Sequence, residues 1–192
     1  MTTAVRIWPP IGFAAMLILG WAVRSGPIGI DRWFQQLRHG PAQWLLVFTD
    51  PRVLVLIWLA VLAVAAYRRR WRLVAAIVVS PVVALVLEQS LKRLFGREKG
   101  AASGSLAYPS GHTTVMVVVV GMVLLVVGAG LWALAAAAVY CLLGMIGQGA
   151  TYHYFTDTVG ALLLGTAIVC VAARAVELDR CQPRCDPRHI DG

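Results

Sequence analysis

Long apolar stretches, separated by short polar segments, make up most of the chain. A helix needs about 20 apolar residues to cross the hydrocarbon core of a bilayer, within a range of about 17–25. Six stretches have that length or come close to it: residues 7–24, 51–67, 73–94, 111–128, 131–149 and 153–174. The pattern therefore predicts an all-α fold, a six-span transmembrane helical bundle that forms one membrane domain over residues 1–174.

The segment between the first two spans, residues 25–50, has a different pattern. Ile30, Trp33, Phe34 and Leu37 recur at helical spacing, and charged and amide side chains lie between them. An apolar stripe on an otherwise polar helix is typical of a helix that lies in the membrane interface. We therefore expect an interfacial amphipathic helix here.

The composition agrees with a membrane protein. Hydrophobic residues make up 59% of the chain and charged residues only 14%, whereas soluble domains are about half apolar and about a quarter charged. The 17 Lys and Arg outnumber the 9 Asp and Glu, which gives a net charge of +8. No basic stretch with interleaved aromatic residues lies outside the apolar runs, so we expect no nucleic acid partner. The excess charge instead suits the headgroups of the lipid bilayer or a phosphate-bearing substrate.

The four cysteines do not indicate a disulfide framework. Cys141 and Cys170 lie within apolar runs and are expected to be small core residues. Cys181 and Cys185 lie in the polar segment 175–192, which we expect to be a disordered tail. Their spacing would allow a metal site or a local disulfide, but it matches known zinc patterns poorly.

The distribution of arginines predicts the orientation of the bundle. One short loop between the second and third spans carries four of them: Arg68, Arg69, Arg70 and Arg72. The positive-inside rule puts this loop in the cytoplasm. The segments on the outer side are then residues 25–50, 95–110 and 150–153. We expect a multi-pass protein of the cytoplasmic (plasma) membrane whose polar site lies on the extracytoplasmic face.

Polar residues from separate spans are expected to meet at that face. His112 opens the fourth span and His153 opens the sixth, 41 residues later. At about 1.5 Å per helical residue this is roughly 60 Å, or two crossings of a core near 30 Å. Lys92 and Arg97 end the third span at the same face. Spacing and topology therefore predict one polar cluster.

The residue types in this cluster suggest phosphate chemistry. His153 and Asp157 are one helical turn apart, so the carboxylate can fix the tautomer and leave the other ring nitrogen free to attack. Ser110 and Gly111 begin a helix, where backbone N–H groups favour anions, and His112 beside them can donate a proton. The alternatives remain open: Ser110 as a simple N-cap, and Asp157 as a first-turn acid that the helix dipole favours.

The charged residues at the end of the third span also have two interpretations. Lys92 and Arg97 can hold a phosphate through charge-assisted hydrogen bonds, or they can extend toward the lipid headgroups. Glu88 is an acid well inside a span, one turn before Lys92. We expect an ion pair between them, with a functional role of Glu88 as the lesser alternative.

Two of these clusters resemble the motifs of the type 2 phosphatidic acid phosphatase superfamily. That family has the motifs K-x6-R-P, P-S-G-H and S-R-x5-H-x3-D. Residues 109–112 match the second motif completely, and residues 153–157 match the end of the third. The resemblance covers the third to sixth spans, about half of the chain. The six-span layout is similar to that of the membrane-embedded branch of the family.

The chain departs from the family pattern at two places. Lys99 and Gly100 stand where the first motif has Arg and Pro, and Ile146 and Gly147 stand where the third has Ser and Arg. In the family this second arginine helps to bind the transferred phosphoryl group, and removing one such donor often costs about 10²–10³ in rate. Three cations are candidates to replace it: Arg93, Arg97 and Lys99.

The resemblance implies a lipid phosphate phosphatase that needs neither a metal nor another cofactor. In the family mechanism His153 would attack phosphorus to form a phosphohistidine, Asp157 would orient it, and His112 would protonate the leaving group. Four groups would hold the phosphoryl oxygens: Lys92, Arg97, Ser110 and Gly111. The substrate would be a phosphorylated membrane lipid, of the polyprenyl phosphate, polyprenyl diphosphate or phosphatidate type, that reaches the site laterally from the bilayer.

Two other functions are compatible with the same residues. The absence of an arginine at Gly147 would suit a catalytically weakened relative that binds or moves a phospholipid. A metal-dependent membrane hydrolase is the other alternative, because two histidines and one aspartate can form a facial metal triad. The oligomeric state is not indicated by the sequence.

Overall fold

The computed structural model describes residues 2–37, 40–99 and 104–176. Within these ranges, seven α-helices and one 3₁₀ helix follow each other along the chain: α1 (Thr2–Val23), α2 (Gly29–Gln36), the 3₁₀ helix (Pro41–Thr49), α3 (Pro51–Tyr67), α4 (Trp71–Phe95), α5 (Gly111–Val127), α6 (Leu131–Thr151) and α7 (Phe155–Ala175). The same ranges contain no β-strand, only an isolated antiparallel bridge between Glu98 and Leu106. The all-α prediction is thus confirmed.

The helices form the expected membrane-spanning bundle. Five stretches of the described chain are long and apolar enough to cross a membrane, and the longest joins the 3₁₀ helix to α3 over 27 residues. The fourth predicted span, α5, is apolar but has only 17 residues. Because α5 packs against α3, α4, α6 and α7, most of its side chains are covered by protein. The predicted span ends differ from the helix ends by a few residues, most of all at α1, which begins at Thr2.

The amphipathic helix is present as α2, and its orientation explains its pattern. Ile30 and Trp33 are exposed, as suits a helix at the membrane interface. Phe34 and Asp31 point the other way and are buried. The Phe34 ring stacks on Phe155, with the ring centroids 4.0 Å apart. One part of the apolar stripe therefore faces lipid and the other part packs against protein. Asp31 is buried on the protein side.

The two ends of the bundle have different character. The loop between α3 and α4 carries the arginine cluster, and Arg68 Nη1 donates a hydrogen bond to the carbonyl of Val126 at the end of α5, 3.3 Å away. The opposite end holds the starts of α3, α5 and α7 and the ends of α4 and α6. The candidate polar residues all come from this second end.

The cysteines within the described residues belong to the packed bundle. Cys141 is buried and Cys170 is half-buried, and both are free thiols, as their apolar surroundings predict. Cys181 and Cys185 lie in the tail beyond residue 176, outside the described residues, so the predictions made for that tail stay predictions.

Candidate functional site

A cavity of about 450 Å³ opens at the polar end of the bundle between α3, α4 and α5. Its wall has two chemically distinct parts. Five ionisable side chains line one part: Glu88, Lys92, Lys99, His112 and His153. The other part is apolar and includes Leu54, Val55, Trp58, Leu85 and Val119. The structure thus brings together Lys92, His112 and His153, which are distant in sequence, at one end of an apolar chamber.

The buried histidine of this cavity lies in the short connection between α6 and α7. The backbone N–H of His153 donates to the carbonyl of Gln148 at 3.0 Å, which ties it to the end of α6. Its ring Nδ1 lies 3.5 Å from Asp157 Oδ2, which is beyond good hydrogen-bond length, and it makes no hydrogen bond within the described residues. The Asp157 carboxylate is nevertheless the acidic group next to this ring nitrogen.

The surroundings of His153 favour the uncharged imidazole. Burial lowers the pKa of His153 below its ordinary value, and the carboxylate of Asp157 opposes this effect. The positive charges of Lys99 and Lys92 lower the pKa further. A neutral imidazole at pH 7 has a lone pair available for attack on an electrophile.

Arg97 lies behind Asp157 and does not line the cavity. Its side chain is 1% exposed, Nη1 bonds Asp157 Oδ1 at 2.6 Å, and Nη2 bonds Asp31 Oδ2 at 2.9 Å. Nη1 also donates to Thr156 Oγ1 at 2.7 Å, and the guanidinium lies 4.4 Å from the centre of the Tyr154 ring. Arg97 was expected to hold a phosphate, but both terminal nitrogens are already bound to acceptors of the protein. Arg97 instead lies where it can hold the Asp157 carboxylate in place.

Asp31 is a site residue that the sequence analysis did not identify. This fully buried carboxylate accepts hydrogen bonds from Arg97 Nη2 at 2.9 Å, from the Thr156 backbone N–H at 2.9 Å and from Thr156 Oγ1 at 3.0 Å. Asp31, Arg97 and Asp157 therefore form a buried acid–base–acid chain that ends at His153. One signal could have pointed to it, because Asp31 is the only acid among the first 49 residues.

Ser110 and Gly111 stand at the start of α5, next to Asp157. The Ser110 backbone N–H donates to the Asp157 carbonyl at 3.1 Å, which joins the start of α5 to the start of α7. The Ser110 hydroxyl makes no capping hydrogen bond; it accepts from Thr113 Oγ1 at 3.2 Å. Gly111 lines the cavity together with His112, whereas Ser110 is fully buried beside it. The backbone at Gly111 is thus closer to a bound ligand than the Ser110 hydroxyl.

Of the three cations that could replace the missing arginine, only Lys99 lines the cavity. Arg93 is exposed on the outer face of α4, and Arg97 is held by the two acids. Burial and the nearby charge of Lys92 lower the pKa of Lys99, while Asp157 and Glu88 oppose that shift. Lys92 forms the expected ion pair with Glu88 one turn away. Lys99 and Lys92 are therefore the two lysines that line the polar end of the cavity.

Gly147, which stands where the family has its arginine, is at a close contact between two helices. A Cβ atom at this position would lie 2.7 Å from the carbonyl carbon and 2.9 Å from the carbonyl oxygen of Leu45 in the 3₁₀ helix. Both atoms belong to the backbone, so they cannot move aside without a shift of the whole helix. The absence of a side chain here follows from packing, and no cation can reach the cavity from this position.

We therefore expect Gly147→Ala to destabilise the protein and Gly147→Arg to prevent folding, with no gain in activity. The alanine Cβ would overlap the Leu45 backbone, and overpacking of this kind typically costs about 1–3 kcal/mol. Thermal unfolding in detergent would measure the loss. Gly130→Ala is the matched control, because a Cβ at Gly130 meets no atom within 4 Å. A stable and more active Gly147→Arg protein would contradict this interpretation.

The metal alternative lacks a ligand set in the described part of the chain. No three His, Cys, Asp or Glu side chains of these residues come together in a way that could hold a metal ion. Asp157 directs one carboxylate oxygen to Arg97 and the other toward His153 and the Tyr154 backbone N–H. The three residues proposed as a facial triad thus do not converge on one point.

No family model matches the chain, and neither a curated protein nor a solved structure matches it. The relation to the type 2 phosphatidic acid phosphatases therefore remains a resemblance in motifs.

Proposed function

We propose that this membrane protein is a phosphatase that hydrolyses a phosphomonoester or diphosphate of a membrane lipid. The observation that carries the proposal is the cavity, in which a buried His153 next to Asp157 shares a polar end with His112, Lys92 and Lys99. A nucleophile with its orienting acid, a proton donor and cations for an oxyanion are the groups that phosphoryl transfer requires.

The reaction proceeds in two steps. In the first, a ring nitrogen of His153 bonds to phosphorus while the bond from phosphorus to the leaving oxygen breaks, and His112 gives its proton to that oxygen. The proton on His153 Nδ1 then faces Asp157 Oδ2, which stabilises the positive ring. In the second step water attacks the phosphohistidine, His112 takes a proton from the water, and inorganic phosphate leaves with the imidazole restored.

Groups that line the polar end of the cavity balance the negative charge of the phosphoryl oxygens. Lys99 and Lys92 supply two positive charges, and the start of α5 at Gly111 supplies backbone N–H groups and the positive end of a helix dipole. Lys99 takes the role of the arginine that is missing at Gly147. Arg97 acts as a positioning residue through Asp157, and Ser110 acts through the backbone contact that holds the start of α5 beside that acid.

The apolar part of the cavity suits the tail of a lipid. Leu54, Val55 and Trp58 on α3 face Leu85 on α4 and Val119 on α5 across it. Trp58 lies seven residues along α3 from Pro51, or roughly 10 Å toward the middle of the membrane. A substrate whose phosphate meets His153 can therefore leave its polyprenyl or acyl tail among these helices and enter from the bilayer. We place this site on the extracytoplasmic face, opposite the arginine loop.

Phosphate release by the purified protein tests the proposal. We expect release from a panel of prenyl phosphate, prenyl diphosphate, phosphatidate and lysophosphatidate in excess chelator, and much slower release from glycerol phosphate, which has no tail. Lys99→Ala should lower kcat/KM by about 10²-fold, because it removes a cation from the transferred group. Arg93→Ala, an exposed cation close by on α4, should leave kcat/KM unchanged.

The controls separate the candidate functions. Activity that disappears in chelator and returns with a divalent metal would support the metal-dependent hydrolase instead. Binding of the lipids without release of phosphate, in a protein that is folded by its thermal unfolding, would support the weakened relative that binds or moves a phospholipid. Equal losses in Lys99→Ala and Arg93→Ala would contradict the role given to Lys99.

The pH dependence of the rate should reflect the lowered pKa of His153. Attack needs the neutral ring, so protonation of His153 sets the acid side of the pH profile, and a lowered pKa moves that loss to more acidic pH. We expect kcat/KM to fall below pH 6.5, the ordinary value for histidine. In Lys99→Met the fall should begin at higher pH, because one positive charge that lowers the pKa of His153 is gone. Both proteins are assayed with the same substrate, so ionisation of the substrate affects the two pH profiles equally. An unchanged or opposite displacement would contradict this electrostatic coupling.

A further inference from the structure

The reaction described above leaves one buried acid of the cavity without a role. Glu88 lies on α4, one turn deeper in the membrane than Lys92, and is 1% exposed. It lines the cavity at the boundary between the cationic end and the apolar wall. One carboxylate oxygen, Oε1, forms an ion pair with Lys92. The other, Oε2, accepts no hydrogen bond from any of the described residues.

An unpaired oxygen of this kind is costly. A buried acceptor without a hydrogen bond has lost its bonds to water without a replacement, and the loss is greater if it is charged. The fold nevertheless makes room for the Glu88 carboxylate, because a Cβ at Gly111 would lie only 2.7 Å from Glu88 Oε1. The glycine at the start of α5 thus allows the carboxylate to lie against the backbone, where a larger residue would push it away. A hydrogen-bond donor that enters the cavity would satisfy the second oxygen.

We propose that Glu88 accepts a hydrogen bond from a hydroxyl group of the substrate, located between the phosphate and the lipid tail. This inference rests on the proposed function. Lys92 Nζ contacts Glu88 Oε1, so a hydroxyl that bonds Oε2 lies only a few bonds from a phosphate held by Lys92. The favoured substrate is then a phosphomonoester on a hydroxyl-bearing headgroup, such as a glycerol or a sugar.

The charges around Glu88 argue against two other ligand groups. An ammonium group would lie beside the Lys92 ammonium, and repulsion between these two cations would offset its attraction to the carboxylate. The second phosphate of a diphosphate would bring further negative charge toward an acid in a poorly solvated cavity. A neutral hydroxyl adds no charge and supplies the donor that Oε2 lacks.

Two lipids that differ in one hydroxyl test the inference. Lysophosphatidate and its 2-deoxy analogue have the same acyl tail and the same phosphate, and only the first has a free hydroxyl on the glycerol. We expect wild-type protein in detergent micelles to show a kcat/KM at least about tenfold higher for lysophosphatidate, since a site built to bond a hydroxyl discriminates against its absence. Glu88→Leu should remove the preference by raising the relative rate of the deoxy lipid. Lys92→Met is the control for the ion pair and should slow both lipids while the preference persists.

The outcomes distinguish this inference from the proposed function. Equal hydrolysis of the two lipids by the wild type would overturn the role of Glu88 and leave the phosphatase activity standing. No phosphate release from either lipid by folded protein would overturn the proposed function, and with it the role of Glu88. If Glu88→Leu does not fold, Glu88→Gln should reduce the preference about threefold or more, because an amide oxygen is a weaker acceptor than a carboxylate. A full preference in Glu88→Gln would then overturn the inference.

Discussion

Replacing His153 by alanine is expected to reduce lipid phosphate hydrolysis by about 10³-fold or more. The reaction would lose its nucleophile, and the remaining groups could only assist direct attack by water. Rapid quenching of the reaction with radiolabelled lipid phosphate should trap an acid-labile, base-stable phosphoenzyme in the wild type. The same experiment on the alanine variant should trap none.

A comparison with His112 separates the two histidine roles. His112→Ala should lower the rate by about 10²–10⁴-fold for a lipid whose leaving group is an alcohol, because that oxygen needs a proton. A lipid-tailed aryl phosphate has a leaving group that departs without a proton, so it should largely restore formation of the phosphoenzyme in His112→Ala and not in His153→Ala. Residual lipid hydrolysis at the wild-type rate in His153→Ala would show that another group attacks phosphorus. Failure of the aryl substrate to rescue His112→Ala would exclude it as the proton donor.

The second large effect is expected from Arg97→Met, which should lower the free energy of unfolding by about 3–5 kcal/mol. The change leaves the fully buried Asp31 and Asp157 without their shared cation, and breaking a buried ion pair in this way is costly. Replacing Arg97 and Asp31 together by apolar residues removes one positive and one negative charge. We expect Asp31→Leu with Arg97→Met to be less destabilised than Arg97→Met alone. Unfolding in detergent of both single variants and the double variant would measure this coupling.

Asp31→Asn tests whether the same network also supports catalysis. The substitution keeps the shape of the side chain but removes one negative charge, so Arg97 is balanced by Asp157 alone. The pull of Asp157 on His153 should weaken, and kcat should fall by about tenfold with little change in KM, since Asp31 does not line the cavity. A change confined to KM would contradict a positioning role. Additive stability losses in the double variant described above would show that Asp31 and Arg97 do not act as a unit.

The interfacial helix α2 is also part of this network. α2 carries Asp31 on its buried side, and Ile30 and Trp33 on its exposed side. The contact of the helix with the membrane surface and the support of Asp157 therefore depend on the same eight-residue element. The acid occupies the first turn of α2, where it also accepts from the Ile28 backbone N–H at 3.2 Å.

The long apolar runs were sufficient to predict the six long helices and their ends to within a few residues, but not the 3₁₀ helix Pro41–Thr49, which precedes the predicted start of the second span. The length of a span depends on the thickness of the bilayer and on local hydropathy, both of which act along one segment at a time. The spacing of His112 and His153 also follows from length, because two crossings return the chain to the same face. The ion pair of Glu88 with Lys92 is a contact within one helix, so its spacing alone predicted it.

The features that the sequence did not predict depend on contacts between helices. The burial of Asp31 and Arg97 depends on how α2 and the loop after α4 rotate against α7, and no local pattern records that rotation. The choice of Lys99 over Arg93 and Arg97 as the cation of the cavity depends on the same packing. In the sequence, Gly147 stands where the similar family has an arginine. The structure shows that Gly147 contacts the Leu45 backbone so closely that no side chain fits there. Hydrophobic periodicity specifies which segments enter the membrane, but the close packing of one helix on another determines which charged groups reach the cavity.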